Sequence, residues 1–194
     1  MSRFNSVFGC VVAASLAACT TIPITSMVKL SRIDFMTTDL QRLRIALTLP
    51  NDLKPRPGCV HLDLAYRQGD NPEVKRVINL EESTAAPDLV GLPADGEGKK
   101  TYVYRLPLAP ITELNKIRND AIIAKSKKQK GSLSMGIAAK EFCANAKISN
   151  APLLVTTYVQ SSENDGYVVL TQDIDLRSDA TISASLDHLE PCQK

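Results

Sequence analysis

Ser26-Met27-Val28-Lys29 is the stretch whose spacing would suit a nucleophile and its base. In serine acylation chemistry of the Ser-x-x-Lys kind the serine opens a helix, so that a lysine one turn later reaches its hydroxyl. Here the four residues begin a strand-like segment, where positions i and i+3 point to opposite faces, and neither Ser-Asp-Asn nor Lys-Thr-Gly occurs in the chain. A serine or cysteine nucleophile activated by imidazole would need His61 or His188, the two histidines of the sequence. His61 alternates with Val60 and Leu62 and reads as a solvent-facing strand residue, and His188, in Asp187-His188-Leu189-Glu190, reads as a polar residue of the tail. Gly131-Ser132-Leu133-Ser134-Met135-Gly136 misses the Gly-x-Ser-x-Gly spacing by one residue, and its Leu133, Met135 and Ile137 alternate as strand core. Asp173, Asp175 and Asp179, with Glu163 and Asp165, offer hard oxygen ligands of the kind calcium takes, but Asp173 and Asp175 alternate with Ile174 and Leu176 and read as a solvated strand face. Cysteines and histidines show no zinc-type spacing. The sequence therefore assigns no catalytic residue, no metal site and no cofactor.

Leu16-Ala17-Ala18-Cys19 closes an apolar stretch, Val7 to Leu16, that opens shortly after Arg3. A short cationic start, an apolar core and small residues before a cut are the parts of an export signal, and this core is too short to span a bilayer as a helix. The segment resembles the signal of bacterial lipoproteins, over residues 1–19 only. That resemblance implies a diacylglyceryl group on the Cys19 thiol, removal of residues 1–18 and acylation of the new amino terminus. Each buried methylene then contributes about 0.8 kcal/mol, so that two or three acyl chains hold firmly where one is marginal. Thr20 follows the cysteine where Asp would favour the inner membrane, so the resemblance implies an outer-membrane anchor facing the periplasm. Residues 20–25 extend at most about 20 Å, which keeps the folded domain close to the lipid.

An exported chain meets an oxidising compartment. With Cys19 carrying lipid, Cys59, Cys143 and Cys192 remain in the mature chain, and the odd number favours one disulfide and one free thiol. Cys192 sits in a Pro191-Cys192-Gln193-Lys194 tail that would otherwise fray, so Cys143–Cys192 is the expected pair and Cys59 the free thiol. Closing that loop of about 49 residues contributes about 4 kcal/mol in the chain-entropy picture.

The elements that must carry these residues have a period of two. Leu43, Ile45, Leu47 and Leu49 alternate with Arg44, Ala46 and Thr48, and Val60, Leu62, Leu64 and Tyr66 alternate with His61, Asp63, Ala65 and Arg67. The two segments are expected to pair as neighbours across Pro50-Asn51-Asp52 and Pro55-Arg56-Pro57-Gly58. Further strands are expected over Met27–Ile33, Val74–Leu80, Thr101–Leu108, Ser132–Ala138, Leu153–Gln160 and Gly166–Leu176, the last two joined by a hairpin at Asn164-Asp165-Gly166. Ser83–Lys100, rich in glycine, proline and charge, reads as a long exposed loop.

One helix is expected, from about Thr112 to Lys128, with Ile111, Leu114, Ile117, Ala121 and Ala124 on one stripe and Pro110 at its entrance. Lys125, Lys127, Lys128 and Lys130 crowd its carboxyl end, where cations complement the dipole, and Gly131 is expected to take the left-handed cap. Close to a membrane those lysines could rest on anionic headgroups at about 1 kcal/mol each. Strands interrupted by one packing helix point to a mainly β fold, an antiparallel immunoglobulin-like β-sandwich with an inserted amphipathic α-helix, formed by residues 26–194 as a single domain.

The net charge is +2 and no aromatic residues interleave with the lysines, which argues against nucleic acid as a partner. The reading that joins these points is a lipid-anchored, non-catalytic cell-envelope interaction or assembly module, attached to the membrane through its lipid and bound to an envelope protein. The alternative is a periplasmic lipoprotein enzyme or small-ligand receptor acting on cell-wall or carbohydrate material, with a site made by the Ser83–Lys100 loop over the sheet. Intact-mass analysis should find Cys19 acylated at the amino terminus, and Cys19→Ser should leave the membrane fraction or stall unprocessed. An unmodified terminus in the wild-type protein contradicts the lipid anchor.

Overall fold

The computed structural model describes residues 33–148, 150–186 and 188–192. Cys19, Ser26, Lys29 and the expected strand from Met27 as far as residue 32 lie outside the described residues, and Ile33 is not in a strand. The fold is mainly β, with the strands paired antiparallel in three open sheets. The strands are β1 (Arg44–Pro50), β2 (Leu53–Pro55), β3 (Val60–Gln68), β4 (Val74–Asn79), β5 (Glu81–Glu82), β6 (Lys99–Arg105), β7 (Gly131–Ala139), β8 (Phe142–Ala144), β9 (Leu154–Gln160) and β10 (Val168–Asp175). The largest sheet runs β10-β9-β1-β6-β5, a second runs β4-β3-β7, and β2 pairs with β8.

The two larger sheets share one core, as a β-sandwich does. Ile45, Leu47 and Leu49 of β1 contribute one side of it with Tyr102 and Tyr104 of β6, while Val60, Leu62 and Leu64 of β3 and Ile78 of β4 contribute the other. Helix α2 (Leu108–Ser126) adds Ile111, Leu114 and Ile117 to the same cluster. A fully buried leucine such as Leu49, Leu64 or Leu114 stabilises the fold by about 1.5–3 kcal/mol. Two further helices, α1 (Ala86–Leu89) and α3 (Ala180–Leu186), are short, so the described residues hold three helices where the sequence suggested one.

The expected pairing of the segments around Leu47 and Leu62 is not formed. Each is the central strand of its own sheet: β1 lies between β6 and β9, and β3 lies between β4 and β7. The proline-rich connection between them carries the chain from one sheet to the other by way of β2. Nor does β1 have a solvent face, because Ala46 and Thr48 are buried along with Ile45, Leu47 and Leu49. The expected hairpin is present, with β9 and β10 antiparallel and Gly166 at φ 85° in the bend.

Helix α2 starts a turn earlier than Thr112, with Pro107 at its N-cap and Pro110 inside the first turn. Proline fits there because the first-turn N–H groups have no helical acceptor. At the other end Gly131 is not the left-handed residue. Lys128 takes that conformation at φ 57°, with Lys128 N–H on Lys125 O at 3.0 Å and Gln129 N–H on Ala124 O at 3.0 Å, a Schellman closure. Gly131 opens β7 instead, where a Cβ would stand 3.0 Å from Arg67 O. A left-handed lysine carries a steric cost that glycine lacks. Lys128→Gly is expected to raise unfolding stability in urea by about 0.5–1 kcal/mol, net of glycine's greater freedom in the unfolded chain; an unchanged or lower midpoint contradicts this account of the cap.

Candidate functional site

The sequence-derived candidates are widely scattered. Cys143 and Cys192 form the expected disulfide, with Cα atoms 4.9 Å apart, and Cys59 is free. The bridge fastens the tail to β8, together with hydrogen bonds from Ala144 N–H to Glu190 O at 3.1 Å and from Cys192 N–H to Ala144 O at 3.3 Å. Burial and the neighbouring Glu141 push the Cys59 thiol above its ordinary range, which disfavours the nucleophilic thiolate. His61 is not the solvent-facing residue the alternation suggested: it is only 5% exposed. As a residue of the central strand it is flanked by Asn79 and Ala138, and its Nε2 lies 3.5 Å from Asp63 Oδ1. His188 is exposed and its main-chain N–H donates to Ser185 O at 3.2 Å.

Of the carboxylates considered for calcium, Asp173 is exposed, as a solvated strand face requires, while Asp175 is half-buried, and Asp173, Asp175 and Asp179 have structural partners. Asp175 Oδ1 accepts from Leu153 N–H and from Arg177 N–H, both at 3.0 Å, and Asp179 Oδ1 accepts from Ile182 N–H at 3.0 Å. Asp173 sits at φ 50° in the irregular part of β10 and lies 3.6 Å from Lys99 Nζ. Among the described residues no group of three acidic, histidine or cysteine side chains is arranged to hold a metal ion, and no helix is long and apolar enough to cross a membrane.

Two buried polar centres, neither singled out by the sequence, hold connecting segments onto the sandwich. Residues 83–98 lie over the outer face of the five-stranded sheet, fastened through Asp88. Ser83 Oγ donates to Asp88 Oδ2 at 2.5 Å, Arg44 Nε lies 2.6 Å from Asp88 Oδ1, and Tyr167 Oη donates to Asp88 O at 2.6 Å. The Arg44 contact is an ion pair whose angle falls outside hydrogen-bond geometry. Further along, Thr101 Oγ1 donates to Asp95 Oδ1 at 2.5 Å and lies 2.8 Å from Thr48 Oγ1. Gly91 meets the β9–β10 hairpin so closely that a Cβ there would stand 3.1 Å from Gly166 Cα. In the second centre the Arg118 guanidinium of α2 stacks over the Phe35 ring at 4.6 Å. Burial lowers its affinity for the proton, while Asp34, Asp39 and Glu163 oppose that loss.

A third region faces outward. The two ends of the five-stranded sheet are blunted, by the two-residue β5 and by the register shifts in β10, and β4 carries Lys75 and Arg76. These are the ordinary guards of a sheet edge. In contrast β7 is nine residues long, contains neither charge nor proline, and pairs with β3 without interruption from Gly131 to Ala139. Gly69 N–H donates to Lys130 O at 2.6 Å and Lys140 N–H to Cys59 O at 3.3 Å, so the even-numbered residues of β7 direct their main-chain groups toward β3. Those of Gly131, Leu133, Met135, Ile137 and Ala139 point away, and among the described residues nothing bonds to them. Beside the carboxyl-terminal half of this edge lies an open groove of about 660 Å³. Its walls are Ile137 and Ala139 on one side and Val155, Ile174 and Ile182 on the other, over Leu47, Leu49 and Phe142.

Lys125, Lys127, Lys128 and Lys130 are all exposed, as is Lys140 at the other end of β7. None of the five makes an ion pair among the described residues. The sequence signal for this region was present in the uncharged run from Gly131 to Ala139 between lysines, but it was legible only as a strand. Comparison with protein-family models, with curated proteins and with solved structures gives no match to this chain.

Burial disfavours ionisation of Asp88, but the Ser83 hydrogen bond and the neighbouring Arg44 charge outweigh that and hold its carboxyl below the usual carboxylate range. A depressed folded-state pKa contributes stability that is complete above the unfolded value and is lost as pH falls through the folded one. Asp88→Asn is therefore expected to cost about 1–3 kcal/mol near neutrality, with the gap to wild type closing as pH falls below about 4. Urea midpoints measured from pH 7 to pH 2 would show it, and a gap independent of pH contradicts the role given to the charge.

Proposed function

We propose that this protein is a lipid-anchored, non-catalytic interaction or assembly module of the bacterial cell envelope, held by acyl chains on Cys19 at the outer membrane and facing the periplasm. The observation that carries the interaction half of this reading is the β7 edge, which no strand among the described residues pairs. Natural sheets blunt exposed edges because unpaired main-chain groups recruit other strands, and here three of the four large-sheet edges are blunted while the fourth is long, regular and uncharged. The anchor half is supported by Leu16-Ala17-Ala18-Cys19 and by the Cys143–Cys192 bridge, which is the kind of crosslink an exported protein keeps.

The enzyme or receptor alternative has its site made by the Ser83–Lys100 loop over the sheet. There Ser83, Asp88, Asp95 and Thr101 bind one another and the sheet, and those groups fasten the loop down. Cross-linking in cells should join the tethered protein to a reproducible envelope polypeptide, and Cys19→Ser should diminish that adduct by displacing the protein from the membrane. Absence of any adduct from the wild-type protein, or an adduct equally abundant in a soluble Cys19→Ser protein, overturns the anchored-module reading.

A further inference from the structure

We infer that β7 and the adjoining groove receive an extended segment of a partner polypeptide as an added strand, with apolar side chains at alternate positions and acidic residues at the end beside Lys127, Lys128 and Lys130. This deepens the proposed interaction role and rests on it, but it does not depend on the lipid anchor. The backbone supplies the first part of the argument. Met135, Ile137 and their odd-numbered neighbours in β7 point their N–H and C=O groups away from β3, in the repeating pattern that strand addition uses for affinity.

The groove supplies the side-chain specificity. Leu133, Met135, Ile137 and Ala139 stand opposite Tyr66, Leu64, Leu62 and Val60 of β3 and so share the inner face of their sheet. In an antiparallel pair, directly opposite residues point the same way. Side chains of an added strand opposite Ile137 and Ala139 would therefore turn inward over Leu47, Leu49 and Val155, which line the groove. Alternate apolar residues complete that side of the sandwich, and the intervening positions face solvent.

Charge selects the occupant. The exposed lysines at both ends of β7 match an acidic-flanked segment, and they disfavour a second copy of this chain. Two β7 strands paired antiparallel about Met135 set Lys130 of each against Lys140 of the other, and a parallel in-register pair sets each lysine against itself. Like charges directly opposite destabilise a strand pair.

The test uses the purified full-length protein in detergent and a synthetic peptide with a Val-Thr-Val-Thr-Val centre and a Glu-Glu-Glu end, labelled for anisotropy. It should bind at low salt, and binding should weaken at least tenfold when the glutamates are replaced by lysines. Hydrogen exchange should show new protection at the odd-numbered amides of β7. Met135→Pro removes one outward donor while sparing the bonds to β3, a position where an edge strand tolerates proline; it should weaken binding at least tenfold with the melting temperature retained. Should that variant fail to fold, Lys127→Glu, Lys128→Glu and Lys130→Glu together should produce the same loss.

The inference is overturned if the peptide gives no protection in β7. It is overturned as well if β7 is already protected in a concentration-dependent way without peptide, which would mark a second copy. A third contrary result is binding of the lysines to vesicles of phosphatidylcholine with phosphatidylglycerol and not to the peptide, which would mark a lipid contact. An envelope adduct that maps away from β7 would sink this inference while leaving the interaction role in place.

Discussion

The burial of β1 on both faces is the constraint on which the rest of the structure depends. A central strand reading Arg-Ile-Ala-Leu-Thr-Leu-Pro has small or polar residues on its second face, and those are covered as completely as the leucines of the first. Two different materials do the covering. The inner face meets the second sheet and the long helix through apolar packing, which is non-directional. The outer face is covered by residues 83–98 through a few directional contacts, chief among them the pair of Arg44 with Asp88. The first cover sets the fold, and the second decides that this sheet has only one side available to a core.

An asymmetry between the two sheets results. The five-stranded sheet is enclosed above and below and blunted at its edges, whereas among the described residues the three-stranded sheet leaves the β7 edge unpaired. With three strands facing five, the smaller sheet ends before the larger one does, and the groove beside Ile137 and Ala139 marks the shortfall. Stability and availability are thus separated in space: the arginine–aspartate pair and the disulfide close one side and one end of the molecule, and among the described residues nothing comparable closes the β7 side.

Much of the architecture was legible in the sequence because period two and period three-to-four patterns arise locally. The antiparallel mainly β class, the β9–β10 hairpin, the helix stripe of Ile111, Leu114 and Ile117, and the Cys143–Cys192 pair are all of this kind or follow from the number and placement of the cysteines. What failed was anything decided by placement. The alternation of Ala46 and Thr48 with leucines is the same whether the second face meets water or a folded-back loop, and His61 gives the same signal whether it borders solvent or sits in a central strand. The helix cap was misplaced because glycine is the better left-handed residue in general, while here the chain turned three residues sooner, at Lys128. The open edge could not be read at all, since a strand has an edge only once its neighbours are known.

The partners of β1 lie far along the chain: β6 comes only after β2, β3, β4 and β5, and β9 only near the end, with Thr48 opposite both Thr101 and Thr156. Long-range pairings of this sort close slowly, because the intervening loop entropy must be overcome first. In a chain delivered amino end first, the strand that organises the molecule is also the strand left waiting longest. Until the region around Thr156 is available, Ile45, Leu47 and Leu49 have no complete sheet to join, so the five-stranded sheet closes only once most of the chain is present.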